Sequence, residues 1–236
     1  MKQLESIFDN FAWGGDKLSR VRFGLDWKEE CVILFARGEM SMEKIVLASN
    51  NKHKVEEFKK LFGENEILTL EDIGFFDDIE ETGTTFFENS YIKAKTVSDF
   101  CKSKGIVATV IADDSGLCVN ALNGAPGVYS ARFGGDHDPV AGRRHLLELM
   151  KGIKDRSAYF ECAIVKMSPD GQYVYAQGKT FGQITEEEHG TAGMTFDRVF
   201  LSDDLHRVFS EVTMEEKNSV SHRARALEDL KSKWKF

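Results

Sequence analysis

Asp113 and Asp114 stand side by side in "VIADDSGL", directly after an apolar, strand-like run. Two like charges in such a place repel unless a cation or a shared proton relieves them. Read as the carboxyl end of a strand, the pair lies where open α/β sheets collect their ligands. Hard carboxylate oxygens suit Mg²⁺. Burying the charges uncompensated is costly, so this pair points to chemistry rather than to packing. Ser115 follows at once, but no GxSxG elbow surrounds it, which argues against a serine hydrolase.

Three further stretches carry residues of the same kind. "SNNKHKVEEF" (Ser49–Phe58) places small polar residues between a strand end and a helix start. Backbone N–H groups and the helix dipole there can hold an anion, and Lys52 and Lys54 add charge. GxxxxGK[ST] is absent, so this is not a Walker loop. "EETGTTFFENSYIKAK" carries Glu80 and Glu81 before a glycine turn, then Glu88, Asn89, Lys93 and Lys95 on a helix. "EEKNSVSHRARAL" brings Lys217, His222 and Arg223 close to a helix start, three donors suited to an anionic or carbonyl-rich ligand.

The elements that must position these residues alternate. "KIVLAS" reads as a buried strand, and Val55, Phe58, Leu61 and Phe62 as the apolar stripe of a helix. "EILTL" predicts a second strand, and "IVATVIA" a third. Between those two lies a long helix capped by Thr84 or Thr85, with Phe87, Tyr91, Ala94, Val97 and Cys101 on its apolar stripe. A helix is expected over about Pro139–Lys151, and a last one from near Val220 towards Trp234. "SAYFECAIVKM" and "YVYAQGKTFGQIT" flank "SPDG", a type I turn sequence, and predict a long antiparallel hairpin. The fold class is therefore α/β with a mixed sheet. Residues 1–42 are set apart as an N-terminal appendage, with a helical stripe at Leu4, Ile7, Phe8 and Phe11 and a short strand at Cys31–Ala36. Residues 43–236 form the main domain.

Composition narrows the function. The chain has 236 residues, 42% hydrophobic, enough for one large core. Its net charge of −8 disfavours general nucleic-acid binding, which needs a basic face. Cys31, Cys101, Cys118 and Cys162 show neither CxxC nor zinc spacing, and read as small buried residues. No leader and no apolar run of about 18 residues is present, so a cytoplasmic protein with no membrane partner is expected.

In this order, "ASNNKHKVEEF", "ETGTTFFENSYIKAK", "ADDSGLCVNALNGAPGVYSARF" and "EEKNSVSHRARAL" resemble the inosine triphosphate pyrophosphatase family, over Lys44 to about Lys231. The resemblance implies a mixed, twisted sheet flanked by helices, in an elongated two-lobed subunit with a nucleotide cleft. It implies a homodimer and Mg²⁺-dependent cleavage of non-canonical purine nucleoside triphosphates to monophosphate and pyrophosphate. Carried over by motif, Ser49, Asn50, Asn51, Lys52, His53 and Lys54 would embrace the phosphates. Glu81 and Asp114 would hold Mg²⁺, with Asp114 also the base and Asp113 in support. Lys93 would steady the phosphate chain, Ser115 would touch substrate, and Lys217, His222 and Arg223 would reach the base.

One stretch departs from the pattern. The family's glycine-phenylalanine-glycine-tyrosine-aspartate-proline run, which helps to form the base pocket, is here "GMTFDRVF". Gly193, Phe196 and Asp197 fit. Met194 replaces an aromatic, Thr195 a glycine and Arg198 the proline. Two other readings therefore stand beside the first: a pyrophosphatase for a pyrimidine or otherwise modified nucleotide, and a nucleotide-binding regulator without turnover.

Overall fold

The computed structural model describes residues 44–62, 67–135 and 138–234. The expected appendage, with its stripe and its strand, lies outside them. Six strands form one sheet in the order β2-β1-β3-β4-β5-β6. The strands are β1 (Ile45–Leu47), β2 (Ile67–Leu68), β3 (Thr109–Val119), β4 (Ser157–Met167), β5 (Tyr173–Ile184) and β6 (Phe200–Ser202). β2, β1 and β3 run parallel, and β3 to β6 are antiparallel, so the sheet is mixed. The hairpin β4–β5 turns at Ser168–Gly171 as the "SPDG" sequence requires, closed by the Gly171 N–H donating to Ser168 O at 2.8 Å.

Helices cover both faces. On one, α1 (Lys52–Phe62) and α5 (His222–Lys233) pack Phe58, Ala226, Leu227 and Leu230 against Leu47, Ile111, Cys162 and Ile164. On the other, α2 (Phe86–Ser103) packs Ala94, Val97 and Cys101 against Val46, Val110, Ala112 and Val165. Ten of the eleven β3 residues are buried because both faces are covered, so outside Asp113–Ser115 the strand shows no alternation of apolar and polar residues. A third core, at the far end of the long strands, joins Leu117, Phe160, Phe200 and Phe209 to Leu146 of α3 (Pro139–Leu149). α4 (Met214–Val220) precedes α5.

The local signals act as their chemistry dictates. Thr85 caps α2 in a full capping box with Glu88, which uses Glu88 for structure. Asp138 caps α3, with Pro139 at its first turn. Asn51 caps α1: its Oδ1 accepts from the Lys54 N–H at 3.3 Å. Cys101, Cys118 and Cys162 are buried and free, as expected. Among the described residues no helix is long and apolar enough to cross a membrane.

One expectation needs correcting. Asp113 and Asp114 do not end their strand; they sit in its middle. The parallel partner β1 stops opposite Ile111, but β4 continues to pair with β3 through Asp113↔Ile164, Asp114↔Ala163 and beyond. The antiparallel neighbour thus carries the strand past the acidic pair. The pair still lies just beyond the carboxyl end of β1, next to the turn into α1.

Candidate functional site

Successive residues of a strand point to opposite faces, and this separates the two aspartates. Asp114 faces α2. Its Oδ2 accepts from Asn89 Nδ2 at 3.1 Å, and its Oδ1 lies 3.5 Å from Lys93 Nζ. Lys93 also donates to Glu81 Oε1 at 3.1 Å. Asn89 and Lys93 are four residues apart on α2, so one helical face delivers both to the same carboxylate. Asn89 also anchors the acidic loop: its Oδ1 accepts from the Gly83 N–H at 2.8 Å. Glu81 is thereby held beside Asp114.

Burial dominates the electrostatics. It pushes the Asp114 carboxyl above the usual range even though Lys93 and Lys54 pull it down. Burial acts on Lys93 in the opposite sense, but Asp114, Asp113 and Glu81 outweigh it and raise the ammonium. Glu81 and Asp114 thus gather around one cation. No group of three or more acidic, His or Cys side chains able to hold a metal exists among the described residues. Two carboxylates suit a small, hard cation that draws its remaining ligands from water and phosphate oxygens.

Asp113 faces the α1/α5 side. Its Oδ2 lies 3.0 Å from Lys54 Nζ and 3.5 Å from Arg223 Nη2. Ser115, two residues on and on the same face, donates to Asp113 Oδ2 at 3.4 Å and accepts from Arg223 Nη2 at 3.2 Å. The opposite Asp113 oxygen, Oδ1, is buried without a hydrogen-bond partner. Arg223 is fully buried, and burial lowers its guanidinium to about 10. It is seated there because α5 starts directly over Gly178 of β5, where a β-carbon would collide with the backbone of Ala226 and His222.

Glu57 was not singled out from the sequence. It is a buried carboxylate of α1 that pairs with Arg223 and lies 3.6 Å from Lys217 Nζ. Lys217 in turn donates to Asp197 Oδ2 at 2.8 Å, and that oxygen also accepts from the Met194 N–H at 2.6 Å. A continuous chain of buried polar groups therefore runs from Lys54 through Asp113, Arg223, Glu57, Lys217 and Asp197 to the backbone at Met194. His222 stacks on Phe160 at 5.0 Å. Burial first, then Lys217 and Lys54, hold its pKa well below 6.5, and its Nδ1 has no partner.

Most of the expected site residues come together. Asp114, Lys93 and Glu81 form one cluster; Lys54, Ser115, Lys217 and Arg223 join the other, with His222 next to Arg223. Met194 and Thr195 are half-buried at its edge, and Asp197 is a buried support for the loop. Phe196 is instead a core residue, packed near Phe133 with ring centroids 6.5 Å apart. Ser49 is half-buried, and Asn50 and Asn51 are exposed at the start of α1. The side chains of Lys52 and His53 lie outside the described residues.

The chain is similar to known proteins over most of its described length. The model of the Ham1 family matches residues 45–233. A dITP/XTP pyrophosphatase of Clostridium perfringens is 45% identical over 201 residues, covering 82% of this chain and 98% of that one. One from Treponema denticola is 45% identical over 188 residues, covering 78% and 94%. Among solved structures, the Staphylococcus aureus Ham1 protein superposes with a TM-score of 0.72 at 36% identity, covering 80% of this chain and 97% of that one. A HAM1 protein from Coxiella burnetii gives 0.71 at 36% identity, covering 81% and 98%.

Proposed function

This chain belongs to the Ham1 family, and on that footing we propose that it hydrolyses non-canonical purine nucleoside triphosphates (ITP, dITP and XTP) to the monophosphate and pyrophosphate. The observation that carries the reading is the buried Asp114–Lys93–Glu81 cluster next to the polar chain that ends at Met194. One cluster is built for displacement at phosphorus, the other for recognition. A buried carboxylate set beside a lysine and a second carboxylate, next to the turn into α1, favours catalysis over binding alone.

Glu81 and Asp114 would hold Mg²⁺, which when bound would neutralise phosphate oxygens. Asp114 orients a water on the α-phosphorus and accepts its proton as the new P–O bond forms. The bond from the α-phosphorus to the bridging oxygen breaks, and its electron pair leaves with pyrophosphate. Lys93 balances charge beside Asp114 and the departing group. Lys54 and the turn at Ser49–Asn51 receive the phosphates. Lys217, His222 and Arg223 present donors to the base. His222, held neutral by its burial, serves as a hydrogen-bonding group and not as a cation.

A homodimer belongs to the same proposal. Tyr173 and Phe181 are half exposed and, with Phe87, Tyr159 and Tyr175, form an aromatic face. Contiguous apolar surface of this kind usually meets a partner, here a second copy of the chain. A cytoplasmic site of action completes the reading, and the acidic charge disfavours nucleic acid as a partner. Product analysis tests it. With Mg²⁺ present, ITP and XTP should yield pyrophosphate, and chelation should stop turnover. Orthophosphate as the direct product would sink the mechanism.

A further inference from the structure

The loop that carries Met194 and Thr195 leaves β5 near Thr185 and returns at β6. Its ends are joined by the His189 N–H donating to Arg198 O at 2.8 Å. Glu188 and Arg198 lie at those ends, with Arg198 Nη1 3.2 Å from Glu188 Oε2. The same Glu188 oxygen is 3.1 Å from Nε of Arg143, a buried arginine of α3. This approach lies off the N–H axis, so the contact is an ion pair and not a hydrogen bond. Arg143 then donates from Nη1 to Thr195 O at 3.0 Å. One guanidinium thus reaches both Glu188 at the base of the loop and the backbone of Thr195. From the other side, Asp197 accepts from the Met194 N–H.

We propose that Arg143, Glu188 and Arg198 form an ion-pair clamp that sets the position of the Met194–Thr195 backbone, and are positioning residues for base selection. The proposal rests on the pyrophosphatase reading. Its logic is compensation. A proline at 198 would restrict the backbone by its ring, but here an arginine stands in that place. A glycine at 195 and an aromatic at 194 are also missing, so the ring face meets a flexible methionine. Discrimination then falls on fixed backbone and side-chain donors, which are selective only if they cannot move to suit the wrong base. Arg143 supplies that fixity. It is buried, planar and forked, so it can bind a carboxylate and a carbonyl at once. A lysine offers one charge and no fork. None of the three residues touches the Asp114 cluster, which separates their role from the chemistry.

The test uses Glu188→Gln, Arg143→Lys and Arg198→Ala in the full chain. Arg198 is part-exposed, so its removal leaves the core intact even if the other variants fold poorly. Hydrogen exchange in the ligand-free protein is read at the amides of His189, Met194 and Asp197. Steady-state kinetics are read on ITP, XTP, GTP and ATP. Each variant should exchange faster at those amides and lose about tenfold in the ITP-to-ATP ratio of kcat/KM, since discrimination rests on polar groups held in place. KM for ITP should rise, while kcat and the Mg²⁺ requirement stay within about twofold of the wild type, as for loss of uniform binding. Arg143→Lys should fail to restore selectivity despite keeping the charge. Unchanged exchange overturns the clamp. Faster exchange with unchanged selectivity overturns its role in base choice. A wild-type protein that ignores every 6-oxopurine triphosphate sinks the parent reading instead, and the clamp is then decided by exchange.

Discussion

Asp113 and Asp114 are consecutive residues of β3, yet their carboxylates lie on opposite faces of the sheet and answer to different cations. Asp113 meets Lys54 and Arg223, and Asp114 meets Lys93. The repulsion that adjacent charges raise is relieved on each face by that face's own contacts, and at longer range Lys54 also acts on Asp114 and Asp113 on Lys93. This divides labour along a single strand. In the proposed function, Asp113 would organise the recognition residues and Asp114 would stand among the groups that act on phosphorus.

The two aspartates should therefore fail differently when each is changed to asparagine. Asp114→Asn keeps the shape but removes a base and a charge, so kcat should fall by about a hundredfold or more. Its urea unfolding midpoint should stay near that of the wild type. Asp113→Asn leaves Lys54 and Arg223 facing a neutral amide in a buried site, which should cost about 3 kcal/mol of stability. Its kinetic penalty should fall mainly on KM. Matching kinetic and stability profiles for the two variants would refute the division.

His222 should give the protein a pH-dependent stability. Burial, with Lys217 and Lys54, depresses its folded pKa well below 6.5, so the unfolded chain binds the extra proton first as pH falls. The contribution is full above the unfolded value and is lost as pH falls towards the folded one. Its slope in that window is at most about 1.4 kcal/mol per pH unit. Urea unfolding between pH 5 and 8 should show this slope in the wild type and lose it in His222→Gln. Equal slopes in both proteins would remove His222 as its source.

Met194→Phe supplies the flat ring surface that the loop lacks. Aromatic pairs are worth about 1 kcal/mol beyond area burial, roughly fivefold in binding. KM for ITP should fall by that order, with kcat and metal dependence little changed. Steady-state comparison on ITP, XTP, GTP, ATP, dUTP and dTTP checks it. A pyrimidine triphosphate or ATP as the best wild-type substrate would revive the alternative reading of the base pocket.

Removal of residues 1–41 should leave a folded, active enzyme, because the Ham1 match begins at residue 45. Thermal unfolding and ITP turnover of the truncated chain decide the point. Insoluble protein, or complete loss of activity, would make those residues part of the core.

What the sequence by itself determined were features whose cause lies within a few residues. The Thr85–Glu88 capping box, the "SPDG" turn and the apolar stripe of α2 are local, because hydrogen bonds and helical periodicity act over three or four positions. The four motif stretches also carried the site's composition, down to Lys93 and Asp114. Tertiary structure decided which charges meet. Glu57 is one more acid on a helix until Arg223, 166 residues later, is laid over Gly178 and brought against it. Asp113 and Asp114 read as a strand terminus until β4 pairs past them and sends them to separate faces. Phe196 read as a base contact until the core around Phe200 and Phe209 took it. Arg143 and Glu188 gave no local sign at all. An ion pair between distant segments has no sequence spacing to read, since its partners meet only when long-range strand pairing and helix packing bring desolvated charges together.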